Sequence, residues 1–321
     1  MAATRPPDGN GRFNRFGFLT PSINEHDQIA FYAQLRDLGI DGRGATGFFV
    51  GGPGSTVRQV AREDEPAPGG GAFSTLLAER LPALDRFGRT AFFAVLQDTA
   101  GGPADNSGIY LHEPSTGLTE IAREGGLLPD GSGRYLSGIS SPLLNDAGTL
   151  VFSANYEETL SDAAGNAMLQ VNVDTAEQTV LLRSGEDAPS GDGVISSFGI
   201  RALNDANQLA VAVSLTDVVG PAGRSELLFY DPTTGLHSIA RTGIEFLGST
   251  LTIIDVNGGE ILSDNGQVAY RFELADGRSG IAVWTLPEPN AIALLTAAGL
   301  TLLRRRPALA VDSFSLSRRR K

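Results

Sequence analysis

Short apolar runs separated by clusters of Gly, Pro, Asn, Asp and Ser recur along the chain as far as Trp284. Runs this short, bounded by turn-forming residues, read as strands rather than helices. Five of them align with one another: "INEHDQIAFYAQL" (23–35), "LDRFGRTAFFAVL" (84–96), "LNDAGTLVFSANY" (144–156), "LNDANQLAVAVSL" (203–215) and "LSDNGQVAYRFEL" (262–274). The polar lead residues are Asn24, Asp85, Asn145, Asn204 and Ser263, spaced 61, 60, 59 and 59 apart, which defines a tandem array. A side-chain oxygen at the lead position can accept from a backbone N–H two residues on, opening a turn. Three residues after the lead stand Asp27, Gly88, Gly148, Asn207 and Gly266, residue types that tolerate a left-handed backbone. The pattern predicts a type I turn closed by a left-handed residue, followed by a strand that is apolar on both faces and so buried on both.

The rest of each copy supplies three more strands. The second is read at "GFFV" (47–50), "GIYL" (108–111), "AMLQV" (167–171), "ELLFY" (226–230) and "GIAVW" (280–284). A third follows at "VRQVAR" (57–62), "LTEIAR" (118–123), "TVLLR" (179–183) and "LHSIAR" (236–241). After a Gly/Pro-rich loop comes a fourth near "GAFSTL" (71–76), "RYLSGI" (134–139), "VISSFG" (194–199) and "LTII" (251–254). The expected fold is all-β: a β-propeller of five four-stranded blades over residues 1–285, with an open β-solenoid as the competing architecture. Because the last copy stops after its second strand, residues near 1–5 and 12–18 are expected to complete the sheet begun by 263–273 and 280–285. Both termini would then close the ring.

Composition narrows the function classes. The net charge is −12, yet residues 304–321 hold seven Arg or Lys against one acid, so the remainder carries −18. Such an acidic body repels phosphate backbones, and nucleic acid is not an expected partner. The absence of Cys removes disulfides, thiolate metal sites and thiol nucleophiles. His26, His112 and His237 occupy unrelated repeat positions without metal-ligand spacing, and the turns lack the converging carboxylates of a calcium loop. No metal, cofactor or catalytic residue is expected.

Beyond Trp284 the chain reads "TLPEPNAIALLTAAGLTLLRRRPALAVDSFSLSRRRK". Pro287, Glu288 and Pro289, the apolar run Ala291 to Leu303 and then Arg304, Arg305 and Arg306 resemble the PEP-CTERM sorting tail of Gram-negative bacteria. This segment is assigned to 286–306, and 307–321 to a basic, disordered tail. As a helix, thirteen residues rise about 20 Å, short of the ~30 Å hydrocarbon core, which suits a transient sorting substrate. The arginines would hold the end of the tail on the cytoplasmic side. The resemblance implies an exosortase-type sorting enzyme as partner and the inner membrane as a transient one. The body resembles the choice-of-anchor tandem NxxGxxAF repeat proteins, with "NDAGTLVF" (145–152) matching that motif, while Asp27 and Asn207 stand in place of its Gly. The opening "MAATRPPDGNGRFNRFG" lacks an apolar h-region, so export would need a signal upstream of Met1.

One recurrence has no compelled role in a turn. Arg62, Arg123, Arg183 and Arg241 end the third strands and would form a ring on one face. They either pair with nearby carboxylates and turn carbonyls or make a ring for a polyanion or glycan. The expected function is a non-catalytic, exported surface or extracellular-matrix repeat protein, adhesive or glycan-binding, with extracellular polysaccharide as the ligand class. The alternative is a secreted hydrolase or lyase on a propeller scaffold, which a central channel with converging carboxylates and a His would favour.

Overall fold

The computed structural model describes residues 5–17, 21–37, 45–74, 76, 82–219, 223–256 and 261–286. Over these residues the apolar runs are strands gathered into five antiparallel sheets. The first sheet holds β1 (Arg12–Phe16), β2 (Ser22–Ile23), β3 (Ile29–Arg36), β4 (Thr46–Gly51) and β5 (Arg58–Arg62). The second holds β6 (Ala72–Phe73), β7 (Ala83–Leu84), β8 (Thr90–Gln97), β9 (Ser107–Glu113) and β10 (Gly117–Arg123). In the third are β11 (Gly133–Tyr135), β12 (Leu143–Leu144), β13 (Thr149–Glu158), β14 (Ala164–Asn172) and β15 (Gln178–Arg183). The fourth comprises β16 (Val194–Leu203), β17 (Leu209–Thr216), β18 (Ser225–Asp231) and β19 (Gly235–Arg241), and the fifth β20 (Glu245–Phe246), β21 (Ser249–Asp255), β22 (Gln267–Leu274) and β23 (Ser279–Thr285).

The sheets are out of phase with the sequence repeat by one strand. The fourth strand of each copy pairs with the first strand of the next, as β11 does with β13 and β16 with β17. This phase corrects the expected closure. β1 is the fourth-strand equivalent at the start of the chain, and it pairs with β3 of the first sheet, Phe13 opposite Leu35, rather than with the fifth sheet. Among the described residues no third strand lies beside β23, so the two termini do not share a blade there.

Burial on both faces follows from stacking. Phe92, Ala94 and Leu96 of β8 pack towards the first sheet with Tyr32, Phe48 and Val50, while Ala91 and Phe93 of the same strand pack towards the third with Leu150, Phe152 and Leu169. Val151 and Met168 then face Val211 and Val213 of the fourth sheet, and Phe229 of that sheet meets Trp284 of the fifth at 5.0 Å between ring centroids. Truncating a fully buried ring such as Phe92 would leave a cavity costing about 3–5 kcal/mol. A single cavity of about 810 Å³ is lined by residues from all five copies, including Ser22, Leu84, Leu144, Leu203 and Leu262. Five sheets around one cavity make a β-propeller, not an open solenoid.

Met1–Trp284 forms one compact unit, and the chain from Thr285 onward falls outside it. The sorting-tail assignments, namely Pro287, Glu288, Pro289, the apolar helix 291–303, Arg304, Arg305, Arg306 and the segment 307–321, lie outside the described residues. Among the described residues no helix is long and apolar enough to cross a membrane.

Candidate functional site

The repeated turns surround the central cavity, and their geometry is the one their residues predict. The residue three after the lead has φ of 58° at Asp27, 76° at Gly88, 77° at Gly148, 61° at Asn207 and 72° at Gly266, and its N–H donates to the lead carbonyl in every copy. The lead side chain accepts inside the turn: Asn24 Oδ1 from His26 N–H at 3.0 Å and Gln28 N–H at 3.0 Å, and Asn204 Oδ1 from Ala206 N–H at 3.1 Å and Gln208 N–H at 2.9 Å.

The other end of the same side chain does something the sequence did not reveal. Asn24 Nδ2 donates to the carbonyl of Asp85 at 2.8 Å, Asn145 Nδ2 to that of Asn204 at 2.7 Å, and Asn204 Nδ2 to that of Ser263 at 2.9 Å. Each lead amide therefore stitches its turn to the next turn, one sheet on. Asp85 has no donor to offer. At that junction the N–H of Arg86 donates to Asp146 Oδ1 at 2.6 Å, and one junction further the N–H of Asp146 donates to Asp205 Oδ1 at 2.8 Å. A recurring carboxylate directly after the lead, at Glu25, Asp146, Asp205 and Asp264, was the signal in the sequence for this second contact.

The four arginines ending the third strands are also engaged. Arg62 pairs with Asp8 and donates to the carbonyl of Asn10, and Arg183 pairs with Asp130 and Ser132. Arg123 donates to the carbonyls of Gly70 and Asp105 and lies 3.2 Å from Glu120. Arg241 reaches Ser190, the Asp192 carbonyl and the Asp192 carboxylate. Arg123, Arg183 and Arg241 each tie the outer strand of their sheet to the loop that brings the chain in from the sheet before, and Arg62 ties its strand to the segment that leads into β1. The pairing alternative thus describes their geometry, and a ring of guanidinium groups open to a polyanion does not.

Facing the central cavity are Asp146, Asp205 and Asp264, with Arg201 and the hydroxyl-bearing Ser22 and Ser263. Two of these carboxylates already accept backbone N–H bonds from the neighbouring turn. None of the three histidines lines the cavity. Burial, and then Arg58, lowers the His112 imidazole below its ordinary value, and His237 Nε2 lies 2.7 Å from the Thr234 hydroxyl. Among the described residues no group of three His, Asp or Glu side chains is placed to hold a metal ion. The arrangement offers a polar, mostly anionic concavity.

Five stacked sheets, a repeated stitching turn and a shared cavity define a tandem-repeat β-propeller. The chain belongs to the family of unknown function DUF7453, whose sequence model matches residues 2–174 and again 172–293. No curated protein matches it. Among solved structures it is similar to the β-propeller domain of the Trilobed protease from Pyrococcus furiosus, at 10% identity and a TM-score of 0.48, over 85% of this chain and 71% of that one. It is similar to the Pyrococcus horikoshii acylaminoacyl peptidase at 9% identity and a TM-score of 0.46, over 84% of this chain and 38% of the peptidase. A third is an oligogalacturonate lyase in complex with manganese, at 12% identity and a TM-score of 0.44, over 88% and 73% of the two chains.

Proposed function

We propose that the protein is a non-catalytic, exported surface or extracellular-matrix module that binds glycan, sorted through its PEP-CTERM-like tail. One observation carries the reading of the body: most of the polar groups that recur from copy to copy are engaged in forming turns or in joining turns and loops, which leaves the cavity and the places where single copies depart from the repeat as binding surface. A non-catalytic module needs a rigid frame and a polar concavity, and no proton-transfer partners. In the tail, Pro287-Glu288-Pro289, the apolar run and Arg304-Arg305-Arg306 support recognition by an exosortase-type enzyme at the inner membrane.

Two measurements test it. Mass spectrometry of the C-terminus, in a strain with a working sorting enzyme, should find surface protein lacking residues beyond about Pro289, and an intact Lys321 on that protein overturns processing. Affinity electrophoresis of the body in gels containing acidic or neutral polysaccharides should show retardation in at least one. The convergence of Asp146, Asp205 and Asp264 on one cavity favours a second reading, a secreted hydrolase or lyase. New reducing ends or unsaturated sugars released from a polysaccharide, and lost in Asp205→Asn and Asp264→Asn, would replace the first reading with it.

A further inference from the structure

Between the fourth and fifth sheets lies a hollow of about 340 Å³, separate from the central cavity except that Arg201 lines both. Its floor is the face of the fourth sheet. Ser197 stands opposite Ser214, and Ser214 opposite Ser225, so three serines form one row across β16, β17 and β18. Neighbouring strands place such hydroxyls about 5 Å apart. All three are exposed, and among the described residues their hydroxyls have no protein partner. The next row is Gly199, Ala212 and Leu227, and its two small residues make the depth. Ile254 of β21 and Val256, just beyond its end, supply an apolar wall.

Arg201 is placed here by a departure from the repeat. The residue three before the lead is Pro21, Pro82 and Pro142 in the first three copies and Arg201 in the fourth. In those three copies the innermost strand is broken into two short pieces, whereas β16 runs unbroken from Val194 to Leu203. Register slips between Ile200 and Ala202, which makes Arg201 the extra residue of a β-bulge, a device that re-aims a side chain. Its guanidinium folds back over Gly199: a Cβ on that glycine would sit 3.5 Å from Nη2, so the group lies above the hollow's floor. Arg201 is exposed and has no ion pair or hydrogen bond among the described residues. The scaffold accepts proline at this position three times, so the arginine answers no demand of the fold.

We propose that this hollow binds a uronate, a sugar ring carrying one carboxylate, with the carboxylate on Arg201 and the ring hydroxyls on Ser197, Ser214 and Ser225. A guanidinium fork matches a carboxylate, serine hydroxyls both donate and accept as sugar hydroxyls do, and an apolar wall suits the C–H face of the ring. The volume lies at the lower end of ligand pockets, about 300–1,000 Å³, which fits a mono- or disaccharide. A dianion is disfavoured, because Glu226 also lines the hollow and the body is acidic. The assignment rests on the glycan-binding reading and narrows it to one chemical class and one place.

The test is a calorimetric titration of the full chain with sodium glucuronate and sodium galacturonate, beside glucose, galactose and sodium acetate. Saturable uronate binding is expected, with the neutral sugars and acetate each at least about tenfold weaker. Arg201→Gln, and Arg201→Pro, which restores the residue of the first three copies, should each weaken uronate binding at least about tenfold, the glutamine variant without lowering the melting temperature. Ser214→Leu should abolish it by filling the hollow. Lack of saturable uronate binding, or uronate binding unchanged in Arg201→Gln, overturns the assignment. If the chain is then still retarded by a neutral polysaccharide, the glycan-binding reading stands without it; if no polysaccharide retards the chain, both fall.

Discussion

The junction between the third and fourth sheets and the junction between the second and third use one backbone turn with two chemistries. At the former, Asn145 is neutral: its amide donates to the Asn204 carbonyl and to Asn207 Oδ1 at 2.8 Å, and its oxygen accepts from Thr149 N–H at 2.8 Å. At the latter, Asp85 is fully buried and can only accept, from Phe87 N–H at 3.0 Å, Arg89 N–H at 2.8 Å and Arg89 Nε at 2.5 Å. Arg89 makes the crossing instead, through Nη1 to Asp174 at 2.6 Å. The two residues are a coupled exchange, because the first and fourth copies carry Asn and Gln at the same two positions, Asn24 with Gln28 and Asn204 with Gln208. An ion pair has replaced an amide pair without altering the turn. Desolvating two charges costs several kcal/mol, so the pair holds the junction without making it stronger than the amide version.

Breaking the charged junction on one side should therefore have the largest effect of any change to the turns. Arg89→Leu leaves Asp85 buried without its cation and should cost about 3–5 kcal/mol. The double variant Asp85→Asn with Arg89→Gln rebuilds the amide version and should lie within about 1 kcal/mol of the native protein, or above it. Urea denaturation of the three proteins decides the matter. A double variant as unstable as Arg89→Leu would show that the exchange is not a local one.

Strand order within a copy, the turn type and the left-handed position were legible because each depends on local chemistry, as Asp27 and Gly88 illustrate. The phase between sequence repeat and sheet was not, since β1 matches the fourth-strand pattern equally well whichever sheet it joins. The stitching role of Asn145 was hidden for a related reason: an Asx turn explains its oxygen completely and gives no cause to ask about its nitrogen. Arg62, Arg123, Arg183 and Arg241 were visible as a recurrence, but their partners Asp8, Asp130 and Asp192 lie in Gly-rich loops of different spacing. Arg201 announced itself only by contrast with Pro21, Pro82 and Pro142, and that contrast acquires meaning when β16 is seen to run unbroken with a bulge.

The comparison of carboxylates sharpens with pH. Burial pushes the Asp85 carboxyl above its ordinary value, against the hydrogen bonds from Arg89 and Phe87. Asp231 is nearly buried too, and burial alone would raise it, but the Thr233 hydroxyl, the Gln208 amide and the N–H groups of Thr233 and Thr234 hold it well below the usual carboxylate range. The two act in opposite directions. Asp231 contributes stability that is present above the unfolded-state pKa of about 3.9 and is lost as pH falls towards its depressed folded value. Asp85 binds its proton more tightly when folded, so its contribution is full at low pH and is lost as pH rises through its raised folded value. Unfolding free energy followed from about pH 6 to pH 2 should thus fall less steeply in Asp231→Asn than in the native protein. Asp85→Asn in the Arg89→Gln background should change the slope in the other sense. An unchanged acid limb in Asp231→Asn would mean that its capping bonds persist in the unfolded chain.

The smallest effect is expected among the clamping arginines, where burial separates two members of one series. Arg241 is 4% exposed and donates to the carbonyls of Gly223 and Asp192 as well as to Ser190, whereas the Arg183 side chain is 18% exposed and its partner Asp130 is 47% exposed. Removing the first leaves part-buried carbonyls without a donor, at about 1–3 kcal/mol, and only the share carried by its contact with the Asp192 carboxylate responds to salt. Removing the second gives up an exposed ion pair that water and salt already screen, at about 0–1 kcal/mol. Arg183 also lies over the Tyr156 ring at 4.9 Å, a contact that the uncharged Arg183→Gln weakens. Melting of Arg241→Gln and Arg183→Gln at low and high sodium chloride should show a deficit for Arg241→Gln that largely persists and one for Arg183→Gln that shrinks with salt. Equal deficits at both ionic strengths would mean that the clamp acts through its loop geometry in every copy, independent of how far each pair is removed from water.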